Sequence, residues 1–169
     1  MNTKQAMTGR LIAIARRPAR RAPMEEIAEG LIVAGAGLEG DHKGAKFPRR
    51  GITVLAREGW ETACAVLESE IGPVHLPWTV RRANLLVEGL ALPKSIGSIV
   101  QIGPVVLEVT FPTQPCARME EAHNGLLKAL HPDWRGGFTA RVLEGGRVRI
   151  GDTAEVLHAL PERVMRLPA

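Results

Sequence analysis

The chain has 169 residues, of which 45% are hydrophobic and 24% charged, a globular balance that excludes wholesale disorder. This length suits one domain, which buries roughly 70% of its unfolded surface and needs no disulfide staples; two cysteines fit a reducing cytosol. The charge of +4 arises from 17 Arg and 5 Lys against 15 Glu and 3 Asp, and arginine's planar fork suits phosphate or carboxylate, so an anionic ligand is indicated without nucleic acid being demanded.

Residues 11–15 read as a strand. Arg16, Arg17 and Pro18 cut that apolar run short and no small-residue cleavage site follows, so it is not an export signal. No run approaches the roughly 20 apolar residues of a membrane helix. A cytoplasmic protein without a membrane attachment is expected. Residues 16–23 form a basic loop, residues 27–34 a second strand, and residues 51–56 a third that is glycine-initiated and β-branched. From Arg57 the period changes: Trp60, Ala63, Cys64, Leu67 and Ile71 fall at helical spacing, and Gly72-Pro73 closes the helix.

Residues 84–87 are a short strand. Residues 98–102 and 105–111 flank Gly103-Pro104 and are predicted to pair as a hairpin. From Pro115 a second helical period runs through Met119, Ala122, Leu126 and Leu130, divided at Asn124-Gly125. Residues 139–143 and 147–150 surround Glu144-Gly145-Gly146 and predict a second hairpin with one solvated face. Residues 154–157 are a last strand and 161–169 a tail. Many short strands without a repeating strand–helix rhythm predict a mainly β fold. The expected form is a closed or nearly closed β-barrel with two or three short helices, as a single domain over 1–169.

Gly35-Ala36-Gly37-Leu38-Glu39-Gly40 matches G-x-G-x-x-G. A dinucleotide site requires a helix to open at the third glycine, where the pyrophosphate sits. Gly44 and Pro48 break any such helix, and the next strand starts too soon for a crossover, so nicotinamide binding is not indicated. The loop reads as tight turns that can bring backbone N–H groups near an anion, with Asp41, His42 and Lys43 as unshielded polar groups.

The two cysteines differ. Cys64 lies on an apolar helical stripe and reads as a small core residue. Cys116 sits where a strand ends and a helix begins, behind Pro115 and beside Arg118, which favours the thiolate, the nucleophile and metal ligand. His42, His75, His123, His131 and His158 have no zinc-ligand spacing. Arg81-Arg82-Ala83-Asn84 is a second polar cluster ahead of a strand, although charge runs are usually solvated edges.

These residues carry a resemblance. Leu38-Glu39-Gly40-Asp41, then Arg82-x-Asn84, Pro115-Cys116, and residues 137–151 closing on Asp152 stand in the order found in MOSC domains, named for the C-terminal part of molybdenum-cofactor sulfurase. The likeness runs from about residue 9 to 156, resembling a small stand-alone bacterial-type member. It implies a barrel whose hallmark cysteine is Cys116, carrying sulfur as a persulfide or ligating molybdenum of a bound molybdopterin cofactor. Relatives resembling the amidoxime-reducing enzymes reduce N-hydroxylated small molecules. The resemblance places Gly40, Asp41, His42, Arg82 and Asn84 at the cofactor, with Arg81 and Arg118 as added cationic contacts. Many stand-alone relatives have Arg where this chain has His42, and Gly-Glu-Asn where it has Arg82-Ala83-Asn84. The partner implied is a separate pyridoxal phosphate-dependent cysteine desulfurase, or a redox protein.

Two other readings stand beside this one. A basic nucleic-acid-binding barrel would explain the charge and residues 16–21, but three Phe, three Trp and no Tyr leave little for base stacking. A binding domain that keeps the fold without catalysis is the other.

Overall fold

A computed structural model describes residues 8–113 and 116–162 of the chain. Strand β1 (Thr8–Arg16) leads through the basic loop to β2 (Glu25–Ile27), β3 (Glu29–Val33) and β4 (Gly37–Leu38). Strand β5 (Ile52–Ala56) runs directly into helix α1 (Arg57–Ile71), and β6 (Leu85–Glu88) follows. Next come β7 (Ile99–Ile102), β8 (Val105–Pro112), helices α2 (Ala117–Ala122) and α3 (Leu126–Leu130), then β9 (Phe138–Glu144), β10 (Gly146–Arg149) and β11 (Thr153–His158).

Seven strands close into a barrel in the order β1, β6, β5, β9, β8, β7, β11. Closure comes from Thr8 pairing opposite Glu155, Gly9 opposite Ala154 and Arg10 opposite Thr153. All neighbours in the ring are antiparallel except β5 and β6, which are parallel and so require a crossover. Helix α1 supplies it, ending at Gly72, whose left-handed φ of 90° accompanies a bond from its N–H to the Glu68 carbonyl. The barrel core gathers inward residues such as Leu11, Ile14, Ile52, Val54, Leu107 and Phe138. A second core lies where the helices cover the barrel wall, with Trp60, Ala63 and Leu67 of α1 against Leu126 and Leu130 of α3 and Leu55 and Leu86 below. Ile71, the last position of the predicted stripe, is exposed.

Three local expectations are met closely. Gly103, at φ 54°, turns β7 into β8, the positive φ that a tight hairpin requires at its first central position. The helical period after Pro115 divides at Gly125, whose φ is 88°. No helix opens at Gly40; instead Val33 pairs opposite Gly37 in a small hairpin, and a loop leads to a 3-10 turn at Pro48–Arg50. The strand expected over residues 27–34 is two short ones separated at Ala28.

The hairpin expected across residues 139–150 does not form. Strand β10 pairs with β3, Arg147 opposite Leu31 and Val148 opposite Gly30, in a separate three-stranded sheet. The tight turns expected from adjacent glycines need positive φ, and neither Gly145 nor Gly146 has it. A methyl on Gly145 would stand 2.5 Å from the Ile32 carbonyl oxygen. The glycines therefore let the chain press against β3 rather than reverse. The expected solvated face is nevertheless present, since Arg147 and Arg149 are exposed while Val148 is buried.

Candidate functional site

Strand register brings distant segments to one end of the barrel. Val54 stands opposite both Leu85 and Phe138, and Phe138 stands opposite Pro112. The centre of β5, the starts of β6 and β9 and the end of β8 therefore lie level, and around that rim lies a cleft of about 910 Å³, within the size range of ligand sites.

Cys116 lines this cleft, exposed, at the N-terminal boundary of α2. Its carbonyl accepts the Met119 N–H at 2.9 Å, while its side chain makes no capping bond. Arg81 lines the cleft from the end of the 3-10 turn Trp78–Arg81 that completes the crossover. It is only 5% exposed. Its Nε donates to the Gly136 carbonyl at 3.0 Å, and its Nη2 is buried with no partner among the described residues. Burial lowers the Arg81 pKa to about 10, and the nearby Cys116 opposes that shift. A methyl on Gly136 would lie 3.2 Å from Nε and 3.3 Å from Nη2, so the missing Cβ gives the guanidinium its place.

Arg82 also lines the cleft, in a left-handed conformation at φ 66°, a backbone state uncommon for a residue with a Cβ. Asn84 behaves differently. It is buried, its Oδ1 accepts the Thr53 N–H at 3.0 Å and its Nδ2 donates to the Ala15 carbonyl at 3.2 Å. Its amide is taken up in joining β5 and β1 across the start of β6, so it positions the rim and does not line the cleft.

The Gly40-Asp41-His42 segment is likewise a support. Asp41 accepts the Arg17 N–H at 2.9 Å and the Lys43 N–H at 3.3 Å, and the His42 N–H bonds the Arg17 carbonyl at 2.8 Å. Gly40 packs against the Arg16 guanidinium, which a methyl would meet at 2.9 Å. None of these three lines the cleft; the same loop instead presents Lys43, Lys46 and Phe47 to it. The Lys43 pKa is lowered, first by desolvation and then by Arg17, against the pull of Asp41. Arg118 is half-buried on α2, outside the lining, and its charge helps to lower the Arg17 pKa after desolvation.

Among the described residues the cleft thus holds Lys43, Lys46, Arg49, Arg50, Arg81 and Arg82 and no carboxylate. Lys46, Arg49 and Arg50 escaped sequence reasoning, although Lys46-Phe47-Pro48-Arg49-Arg50, cations interleaved with an aromatic just before a strand, carried the signal. Cys64 is half-buried beside the second core, its thiol pKa raised by desolvation and then by Glu68 and Glu61. Cys116 is the more open of the two thiols, and Cys64, expected as a core residue, is only partly covered.

The MOSC domain family model matches residues 48–155. Among solved structures, the YuaD protein from Bacillus subtilis is 18% identical, with a TM-score of 0.71 over 92% of this chain and 98% of its own. YiiM from Escherichia coli is 17% identical, with a TM-score of 0.66 over 90% of this chain and 72% of its own. YiiM from Geobacillus stearothermophilus is 19% identical, with the same TM-score over 89% and 75%. No curated protein matches the sequence. The family match covers the cleft's four arginines, its cysteine and most of the barrel, and the chain belongs to the MOSC domain family.

Proposed function

We propose that the protein uses Cys116 either to carry sulfur as a persulfide or to ligate the metal of a bound molybdenum cofactor. The reading is carried by one observation: an exposed thiol shares a cleft with a buried arginine whose Nη2 has no partner, and with no carboxylate, among the described residues. A buried unpaired donor costs about 1–3 kcal/mol, a cost relieved when an acceptor such as phosphate arrives. Thr113 Oγ1, also on the cleft and also unpartnered, is a second donor for the same acceptor. The residues present therefore suit the molybdopterin group: Arg81 and Thr113 for its phosphate, Cys116 as the soft ligand. When bound, the cofactor would supply a redox metal for reducing N-hydroxylated compounds, the reaction class of the amidoxime-reducing relatives.

The chain's own part is electrostatic. The positive charges of Arg81 and Lys43 share the cleft with the Cys116 sulfur, where they would attract an anionic donor or phosphate. In sulfur transfer, the Cys116 thiolate attacks the outer sulfur of a donor's persulfide. The donor cysteine leaves as a thiolate, and Cys116 holds the transferred sulfur. A separate cysteine desulfurase in the cytoplasm is the expected donor, and reduction would call on a redox partner.

The test compares the wild type with Cys116→Ser, expressed in cells that make molybdenum cofactor. The wild type is expected to hold molybdenum or take a persulfide label, and the variant to lose both while melting within a few degrees of the wild type. Serine preserves shape, but its hydroxyl is a poor nucleophile and soft-metal ligand at neutral pH. A wild-type protein that carries neither molybdenum nor a persulfide would overturn the reading.

A further inference from the structure

The cationic lining divides into two sets. Arg81 and Lys43 face Cys116 closely enough for their charges to interact. Lys46, Arg49 and Arg50 belong to the segment that includes Phe47, on the cleft's outer lip. The Arg50 guanidinium carbon stands 5.2 Å from the centre of the Phe47 ring. No ion pair engages any of these three cations among the described residues.

The lip is built into the barrel. Thr110 of β8, buried, donates its hydroxyl to the Arg49 carbonyl and also lies 3.0 Å from the Thr139 hydroxyl of β9. The backbone of the Pro48–Arg50 turn is thereby tied to two strands while its side chains remain exposed. Beside it, Phe47 and Phe111 line the cleft at 48% and 43% exposure, unusually open for phenyl rings. One phosphate at Arg81 and Thr113 leaves these outer groups without a use.

We propose that the outer lip is a second anion subsite that selects substrates joining a flat apolar ring to a negatively charged group. Phe47 and Phe111 receive the ring, and Arg49, Arg50 and Lys46 receive the charge. A concave site lined by one sign of charge raises the local concentration of ligands of the opposite sign. The concavity favours a small molecule over an extended polyanion. This inference rests on the reading of Cys116 as the reacting centre, since it places a substrate beside it, but the binding itself needs neither the thiol nor the metal.

The experiment is calorimetric titration of the full chain with phenyl phosphate, phenol and inorganic phosphate, in the wild type, Arg49→Gln/Arg50→Gln and Cys116→Ser. Phenyl phosphate is expected to bind at least about tenfold more tightly than phenol, since its charge-assisted bonds are stronger than the neutral ones phenol can make. The double variant is expected to weaken phenyl phosphate about tenfold and inorganic phosphate less than twofold, because the inner donors are intact. Both lip arginines are exposed, so a thermal melt close to wild type is expected to accompany the loss. Equal affinities for phenol and phenyl phosphate would overturn the inference, as would a double variant that binds both anions as the wild type does or weakens both equally. Phenyl phosphate binding that survives in Cys116→Ser supports the lip even where sulfur and molybdenum assays fail. Failure of the lip with intact Cys116 chemistry overturns the inference alone.

Discussion

Burial lowers the Arg81 pKa from the ordinary arginine value to about 10, a shift that amounts to roughly 3 kcal/mol. The group binds its proton less tightly in the folded state than in the unfolded one. Its penalty on stability is therefore complete below about pH 10 and fades as pH rises from there towards the ordinary arginine value. Arg81→Met removes the charge at the cost of the Nε bond to Gly136, and a net gain on the order of 1 kcal/mol is expected at pH 7. Chemical denaturation between pH 7 and 11 checks this: the variant's advantage should shrink above pH 10, while its affinity for inorganic phosphate is lost at every pH. An Arg81→Met protein less stable than wild type at pH 7 would show that the guanidinium is not strained in place. Such a trade of stability for binding is common at functional sites. Arg81 and Cys116, which both line the cleft, could be singled out along the chain because each sits at a junction of elements, where sequence punctuation is strong.

At the scale of elements, Asn84 is the informative case. Its residue type and its place in the Arg82-x-Asn84 pattern suggest a ligand, whereas its amide bonds Thr53 and Ala15 across three neighbouring strands. Nothing local in the sequence announces that use, because both partners are far away in the chain. Asn84→Asp keeps the shape and the acceptor but loses the donor to Ala15 and buries a charge. A loss of about 2–4 kcal/mol of stability is expected, read by urea denaturation, with phosphate affinity in the folded protein changed less than threefold. A variant of wild-type stability that no longer binds phosphate would return Asn84 to the ligand set. The same logic separates what could be read along the chain. Helix α1 and the β7–β8 hairpin are local patterns and were legible. The β10–β3 pairing depends on Gly145 lying against Ile32, a contact no periodicity reveals.

For the whole molecule, the net charge of +4 understates the cleft. The cations of its lining lie together without a carboxylate, while carboxylates are engaged elsewhere, as where Glu88 binds Arg10 and Arg57, and Glu29 binds Arg149. Segregation of charge, rather than its total, gives the cleft its positive lining, and only the assembled barrel makes it visible. The barrel was foreseeable as a class from the number of short strands. The order of its strands was not, since neighbours such as β1 and β11 carry no mark of each other.

That last pairing, Thr8 to Arg10 against Thr153 to Glu155, joins segments from nearly opposite ends of the sequence, and it bears on how the protein is made. Of the seven barrel strands β1 leaves the ribosome first and β11 last, so the newborn sheet is left with β1 and β7 as open edges from the time β9 links β8 to β5 until the final strand arrives. Pairings of such long sequence separation form slowly, and unpaired strand edges invite association with other chains. Stalled nascent chains that lack Thr153–His158 are expected to remain sensitive to protease and to bind chaperones, and to become resistant once that strand clears the exit tunnel. Resistance acquired earlier would mean that the open sheet is already stable, and that the final strand only seals a structure able to stand without it.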